Sequence, residues 1–360
     1  MKVGIATRPL LANYGGILQN FALQQALRKL GHDPITIDFI PQYTVYRYIR
    51  SLCKTLILWF IPWKRRPFVS YSTMADRNND VDSFCRKYIV LTNKVHCYKN
   101  DLVDIYNMDA VITGSDQVWR AKYNLYPGHL EDMYLKFVHK ENVKKLAYAA
   151  SFGIDEWDYQ SDMTIRCSNL AKRFIGISVR EKSGVELCDK YLHVRAVTVL
   201  DPTLLLERED YEAVCRKIPR DTSRFIAAYI LDLSLSKRQL VEKIANEKGL
   251  SVKYFSAHHN IKLSIEEWIA MFRDSDYIVT DSFHGTVFSI IFNKPFMAIG
   301  NEGRGLARFH SLLDMFGLQD RICVRDKVQH VQKEIDWSVV NEKRKLMQTH
   351  SFDFLRLLND

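Results

Sequence analysis

Asp281-Ser-Phe-His-Gly-Thr286 puts a carboxylate, a hydroxyl and an imidazole on one short turn. The apolar run from Tyr277 to Thr280 precedes it and reads as a buried strand. A helix is expected to open at Gly285-Thr286 and end at Asn293. A strand that passes straight into a helix leaves the first helical N–H groups unpaired and aimed above the strand end. A titratable imidazole beside such an anion-attracting helix start is suited to moving a phosphorylated group. The same residues also fit a plain capped turn, with Asp281 or Ser282 as N-cap and His284 on the surface.

Three other sets of residues could share that chemistry. Asn13-Tyr-Gly-Gly16 lies between a strand and a helix, where Gly15 and Gly16 let a ligand approach the backbone closely. It lacks the spacing of a dinucleotide or P-loop fingerprint, and a tight turn explains it equally well. Gly114-Ser-Asp116 ends an apolar strand. Asp116 there suits taking a proton from a sugar hydroxyl, or capping a following helix. Arg180 follows the strand 177–179, and Arg304 and Arg308 follow the strand 296–299. An arginine fork fits carboxylate and phosphate alike, although each arginine alone would serve as an ion pair. No spacing that would bind a metal is visible, so none is expected.

The elements that must position these residues alternate between strand and helix. Strand 2–7, helix 17–30 and strand 35–40 make a βαβ unit, which predicts a parallel sheet. Strands 110–113, 145–150, 174–178 and 196–200 continue it. A second block runs through strand 226–231, helix 237–248, strand 252–255, helix 265–273 and the strand-turn-helix described first. The expected division is an N-terminal α/β domain over 1–205, a C-terminal α/β domain over 206–330, and a helix within 331–360 packing back across both. Residues 201–221 are the expected hinge. Two parallel-sheet blocks so joined put their strand C-termini across one cleft.

At 360 residues the chain has room for two domains, and 47% hydrophobic with 26% charged residues excludes a disordered class. Seven cysteines without CxxC spacing suit free thiols in a reducing compartment. Met1 leads directly into a strand, so no signal peptide is expected, and no apolar run is long enough to span a bilayer. The net charge of +9 is concentrated in a basic insertion over about 41–80. Arg47, Arg50, Lys54, Lys64, Arg65 and Arg66 supply +6 of it around Leu56-Ile-Leu-Trp-Phe-Ile-Pro-Trp63. That pattern suits the headgroup region of an anionic membrane, or a packed helix with a solvated basic rim. No helix-turn-helix, zinc or RNP pattern accompanies the charge, so no nucleic acid is expected.

Taken in order, Asn13-Tyr-Gly-Gly-Ile-Leu-Gln-Asn-Phe-Ala-Leu23, Ile112-Thr-Gly-Ser-Asp-Gln-Val-Trp119, Ala149-Ala-Ser-Phe-Gly153, Ile177-Ser-Val-Arg-Glu181, Val199-Leu-Asp-Pro-Thr-Leu-Leu205 and the Asp281 turn resemble the polysaccharide pyruvyl transferase family over roughly 1–320. The resemblance implies a GT-B-like fold of two Rossmann-like domains facing across a cleft. It implies transfer of the pyruvyl group of phosphoenolpyruvate to two sugar hydroxyls of a surface polysaccharide or its precursor, giving a cyclic ketal and phosphate. On that footing no cofactor beyond the donor substrate is expected. His284 is the candidate acid and Asp116 the candidate base. Arg180, Arg304 and Arg308 hold the anions, with Asn13, Gly15, Gly16, Ser115, Ser282, Gly285 and Thr286 as further binding residues. Expected partners are the donor, a sugar acceptor on a lipid or free, and an anionic membrane surface, with a cytoplasmic location at the inner membrane face. A nucleotide-sugar glycosyltransferase and a non-catalytic polysaccharide assembly factor are the alternative readings.

Overall fold

The computed structural model describes residues 1–41, 49, 52, 53, 55–57, 59, 79–255, 263–300, 306–323 and 333–360. Among them, β1 (Lys2–Ala6), β2 (Asp33–Thr36), β3 (Ala110–Thr113), β4 (Lys144–Ala150), β5 (Gly176–Val179) and β6 (Val197–Thr198) form one sheet in the order β2-β1-β3-β4-β5-β6. A second sheet joins β7 (Phe225–Tyr229), β8 (Ser251–Phe255), β9 (Tyr277–Thr280), β10 (Phe296–Ile299) and β11 (Ile322–Cys323) in the order β11-β10-β9-β7-β8. Every pairing is parallel. The reason is in the residues: β3, β7, β9 and β10 are buried along their whole length, as strands covered on both faces must be. The result is two parallel-sheet α/β domains in a GT-B-like arrangement.

Two strands are shorter than expected. β2 ends at Thr36, and the chain beyond it runs beside 91–95, with bridges from Thr36 to Leu91 and from Phe39 to Val95. β6 stops at Thr198, and the Leu200 amide donates to Ser351 Oγ (3.0 Å).

Three apolar cores result. One lies within the first domain, around Trp119 and Tyr134, and one within the second, around Val241 and Val279. The third is shared, with Ile5, Leu18 and Phe21 from one side packed with Phe225, Trp268 and Phe288 from the other. Helix α1 (Tyr14–Lys29) turns its apolar face into that shared core. The connector expected as a hinge is part of it too: Pro202–Leu205 forms a buried turn, and Tyr211 packs edge-on to Phe288 (4.9 Å). Helix α2 (Trp337–Leu355) clamps this connector, with Gln348 donating to the Leu204 carbonyl (2.9 Å) and Arg344 pairing with Glu207. A large apolar interface of this kind holds two domains in one relative position.

Candidate active site

Each sheet reverses its strand order once, between β1 and β3 and between β7 and β9. Parallel sheets bind ligands outside the strand ends at such points. Here the two points face one cleft of about 380 Å³, lined by Arg8, Asn13, Gly16, Asp116 and Tyr123 on one side and Tyr229, Ser282, Phe283, His284 and Arg308 on the other. That volume falls in the range of small-molecule sites, roughly 300–1,000 Å³.

The floor is a cluster of buried charge. Asp201, just beyond β6, accepts from Arg180 Nη1 (2.7 Å), Thr203 N (3.0 Å), Thr203 Oγ1 (2.6 Å) and the Gln19 side-chain amide. Arg180 also reaches Asp116 Oδ1 (3.5 Å) and lies over the Phe283 ring (4.5 Å). Asp116 sits at φ 76°, a left-handed conformation uncommon outside glycine. Strain of this kind gathers at functional sites. Ser115 holds it from behind, its hydroxyl donating to the Ala149 carbonyl (3.1 Å) and accepting from Gln19 (3.2 Å). At the rim, Arg8 stands 3.9 Å from Asp116 and 4.1 Å over Tyr123.

His284 enters from the second domain, in the first turn of a helix (Phe283–Ile291) whose N-cap is Ser282. Asp281 does not cap it. Its carboxylate accepts from Leu231 N (2.6 Å), Asp232 N (3.1 Å) and Lys237 Nζ (2.6 Å), which fixes the turn to the end of β7. The imidazole Nε2 is buried without a hydrogen-bond partner and lies 4.0 Å from Asp201 Oδ2, beyond bonding distance. Its other side rests on the backbone of Gly15. A Cβ there would stand 2.0 Å from Nδ1, so only glycine allows this contact.

The charges set one another. Burial pushes the His284 imidazole down to about 4, against the pull of Asp201 and with help from Arg180. Burial would raise the Asp116 carboxyl, but Arg180, Arg8 and Arg308 outweigh it and hold it at about 2. Burial, then Arg180, lowers Arg308 to about 10, which leaves it charged at neutral pH. Asp201 is held low chiefly by Arg180, against its burial.

His284, Asp116, Arg180 and Arg308 thus meet at one cleft, with Asn13, Gly16 and Ser282 in its lining. Several expectations need correction. His284 is buried rather than surface-facing, because α1 of the other domain covers it. Asp116 caps no helix: the next helical element is the short 3-10 turn Ala121–Tyr123, with Arg120 at its N-cap position. Ser115, Gly285 and Thr286 support the site instead of lining it. Gly285 packs on the Thr280 side chain, and the Thr286 hydroxyl donates to the Ser282 carbonyl (3.2 Å). Arg180 pairs within its own domain. Arg304, and most of the basic insertion, lie outside the described residues.

Asp201, Gln19 and Arg8 were not anticipated. Asp201-Pro-Thr reads as an ordinary capped turn, which it also is. Gln19 carried a signal, as an amide on the buried stripe of an apolar helix; so did Arg8, which directly follows a strand end.

A family model described as polysaccharide pyruvyl transferase matches residues 13–303. No curated protein matches the chain. Among solved structures it is similar to the SsfS6 glycosyltransferase of Streptomyces sp. SF2575, at 12% identity and a TM-score of 0.42 over 100% of this chain and 99% of that one. It is similar to the UDP-GlcNAc 2-epimerase of Methanocaldococcus jannaschii at 10% identity and a TM-score of 0.44, over 97% and 93%. The E. coli heptosyltransferase WaaC gives 11% and 0.39, over 96% and 99%. Likenesses this distant carry no information about substrate.

Proposed function

Since the chain belongs to the polysaccharide pyruvyl transferase family, we propose that it moves the pyruvyl group of phosphoenolpyruvate onto two hydroxyls of a sugar in a surface polysaccharide or its precursor. The observation that carries this is a buried imidazole with an unpartnered nitrogen, set among arginines in a cleft. A donor bearing a carboxylate and a phosphate is the kind of ligand that such a set of guanidinium groups fits.

His284, protonated, gives its proton to the methylene carbon of the enol, which leaves an oxocarbenium-like C2. One sugar hydroxyl attacks C2, the C–O bond to phosphate breaks, and the second hydroxyl closes the ring on C2. Two hydroxyl protons are released; one restores His284 and the other leaves with phosphate. Arg180 and Arg308 hold the anions, and the helix beginning at Phe283 adds its N-terminal field. Asp116 orients the attacking hydroxyl. Held at about 2 it is a weak base before the donor binds, and it strengthens as the donor draws the arginines away.

Phosphoenolpyruvate at one hundred times its dissociation constant should stabilise the protein by about 2.7 kcal/mol. Stabilisation by a nucleotide sugar, with none by phosphoenolpyruvate, would favour the glycosyltransferase reading. The acceptor side extends to the membrane in this proposal. No helix among the described residues is long and apolar enough to cross a bilayer. Leu56, Ile57 and Trp59, beside the basic clusters, are exposed. Salt-sensitive binding to anionic liposomes, lost when Lys64, Arg65 and Arg66 become Glu, is the expected result; indifference to liposomes at low salt would remove the membrane from the reading.

A further inference from the structure

His284 must carry a proton to act as an acid, and before the donor binds its surroundings disfavour one. Held at about 4, the imidazole is protonated in about one molecule in a thousand at pH 7. Among the described residues the charged groups that act on it most are Asp201 and Asp116, which favour the proton, and Arg180 and Arg308, which oppose it. Arg8 and Glu181 act one step further out, through Asp116, Arg180 and Arg308. Among the described residues these carboxylates and guanidinium groups balance, so a proton on the ring would add an uncompensated charge to a buried site.

The geometry contains a way round this. Asp201 Oδ1 is pinned by both donors of Thr203, so the carboxylate cannot swing away. Oδ2 faces the Arg180 guanidinium at 2.7 Å and the neutral His284 ring at 4.0 Å. The ring is backed by Gly15, which closes off retreat on that side. A shift of about 1 Å toward Oδ2 would bring Nε2 into hydrogen-bond range.

We propose that Asp201 is a positioning residue that makes His284 an acid only once the donor is bound: the donor's anions draw Arg180 from Asp201, and Asp201 then holds on Nε2 a proton taken from water. This rests on the donor assignment made above. The donor brings one carboxylate charge and about 1.5–2 more on its phosphate. That excess turns a balanced site negative and favours an incoming proton. The reactive form is therefore populated chiefly with the donor in place.

Calorimetric titration of the full chain with phosphoenolpyruvate at pH 7.5, in buffers of different ionisation enthalpy, counts the protons that accompany binding. A phosphate monoester ionises last near pH 6. The donor is therefore almost fully ionised at pH 7.5, and a cationic site can only strip the remainder. Uptake must come from the protein. Close to one proton taken up per donor is expected for the wild type, none for His284→Asn, and a small fraction for Asp201→Asn with binding retained. Where Asp201→Asn does not fold, Thr203→Val removes one of the two donors that pin Oδ1, the hydroxyl, without changing any charge and should lower the uptake part-way. Buffer-independent heat in the wild type, or undiminished uptake in the Asp201 or Thr203 variant, overturns the proposal while leaving the donor assignment intact. Absence of binding by phosphoenolpyruvate overturns both.

Discussion

Two strand-to-helix turns meet in the cleft, and they are built in opposite ways. The turn after β9 is tied at almost every residue. Thr280 Oγ1 donates to Tyr229, Asp281 accepts three donors, Ser282 caps the helix and Thr286 bonds back to Ser282. The turn before α1 has few such ties. Asn13 makes no side-chain cap, the first turn holds no acidic residue, and Gly15 and Gly16 offer bare backbone. The first turn fixes a reactive group in space; the second supplies a wall it rests on. The difference teaches that the imidazole is covered from outside its own domain, by a surface without side chains, and that most of the charges acting on it, Asp201, Arg180 and Asp116, come from that other domain too.

The strongest way to break this picture is at the tied turn. His284→Asn should lower phosphate release by roughly two to four orders of magnitude, the range for a lost general acid. Near-normal turnover with a competent acceptor would remove His284 from the chemistry. The wall comes next. Gly15→Ala places a methyl 2.0 Å from Nδ1, so the ring or the helix must move. A displacement near 1 Å in a catalytic group is worth about a hundredfold in rate. At Gly16 the same methyl meets only the Asn13 side-chain amide, at 3.1 Å, and the effect should be slight. Equal losses in the two variants would mean that the turn acts through its conformation and not through contact with the ring.

Arg180→Lys tests the floor between the two turns. It keeps a charge and loses the fork that reaches Asp201 and Asp116 together. Donor affinity should weaken by about 1.5–3 kcal/mol, the scale of a hydrogen bond to a charged group. A lower melting temperature with unchanged donor affinity would leave Arg180 as a structural ion pair alone.

The tied turn was legible in the sequence and the wall was not. β3, β9 and β10 stand where their apolar runs begin and end, because strands covered on both faces carry their pattern locally. The shortening of β2 and β6 depends on partners 55 and more residues away, Leu91 for Thr36 and Ser351 for Leu200. No local pattern reports such pairings. The burial of His284 has the same origin, since Gly15 lies 269 positions before it. Asp201 stayed hidden for another reason: the residues that make it a hub also make an ordinary turn, and the turn is what local reading sees.

The smallest effect is also the most direct reading of the wall. In the folded protein His284 is held at about 4, whereas in the unfolded chain it returns to about 6.5. Between those values the unfolded state binds the proton and the folded state does not, so stability falls as pH drops. The slope from one such group is about 1.4 kcal/mol per pH unit at most, and the loss ends below pH 4, where both states are protonated. His129, pushed down to about 4 by burial and Arg8, adds a slope of the same sign. Asp132, raised to about 6 by burial, works the other way as pH falls from 6 toward 3.8. Asp116, depressed to about 2, loses its contribution only below 3.8, outside this window. The total slope is therefore a mixture, and the informative quantity is the difference between variants. Urea unfolding at pH 4.5, 5.5 and 6.5 should show a shallower acid loss in His284→Asn than in the wild type. Gly15→Ala, by pushing the ring off its wall toward Asp201, should raise the imidazole and show part of that change. Parallel curves for all three proteins would mean that the imidazole titrates freely in the folded protein without the donor. His284 would then need no donor to become an acid, and the wall would be packing alone.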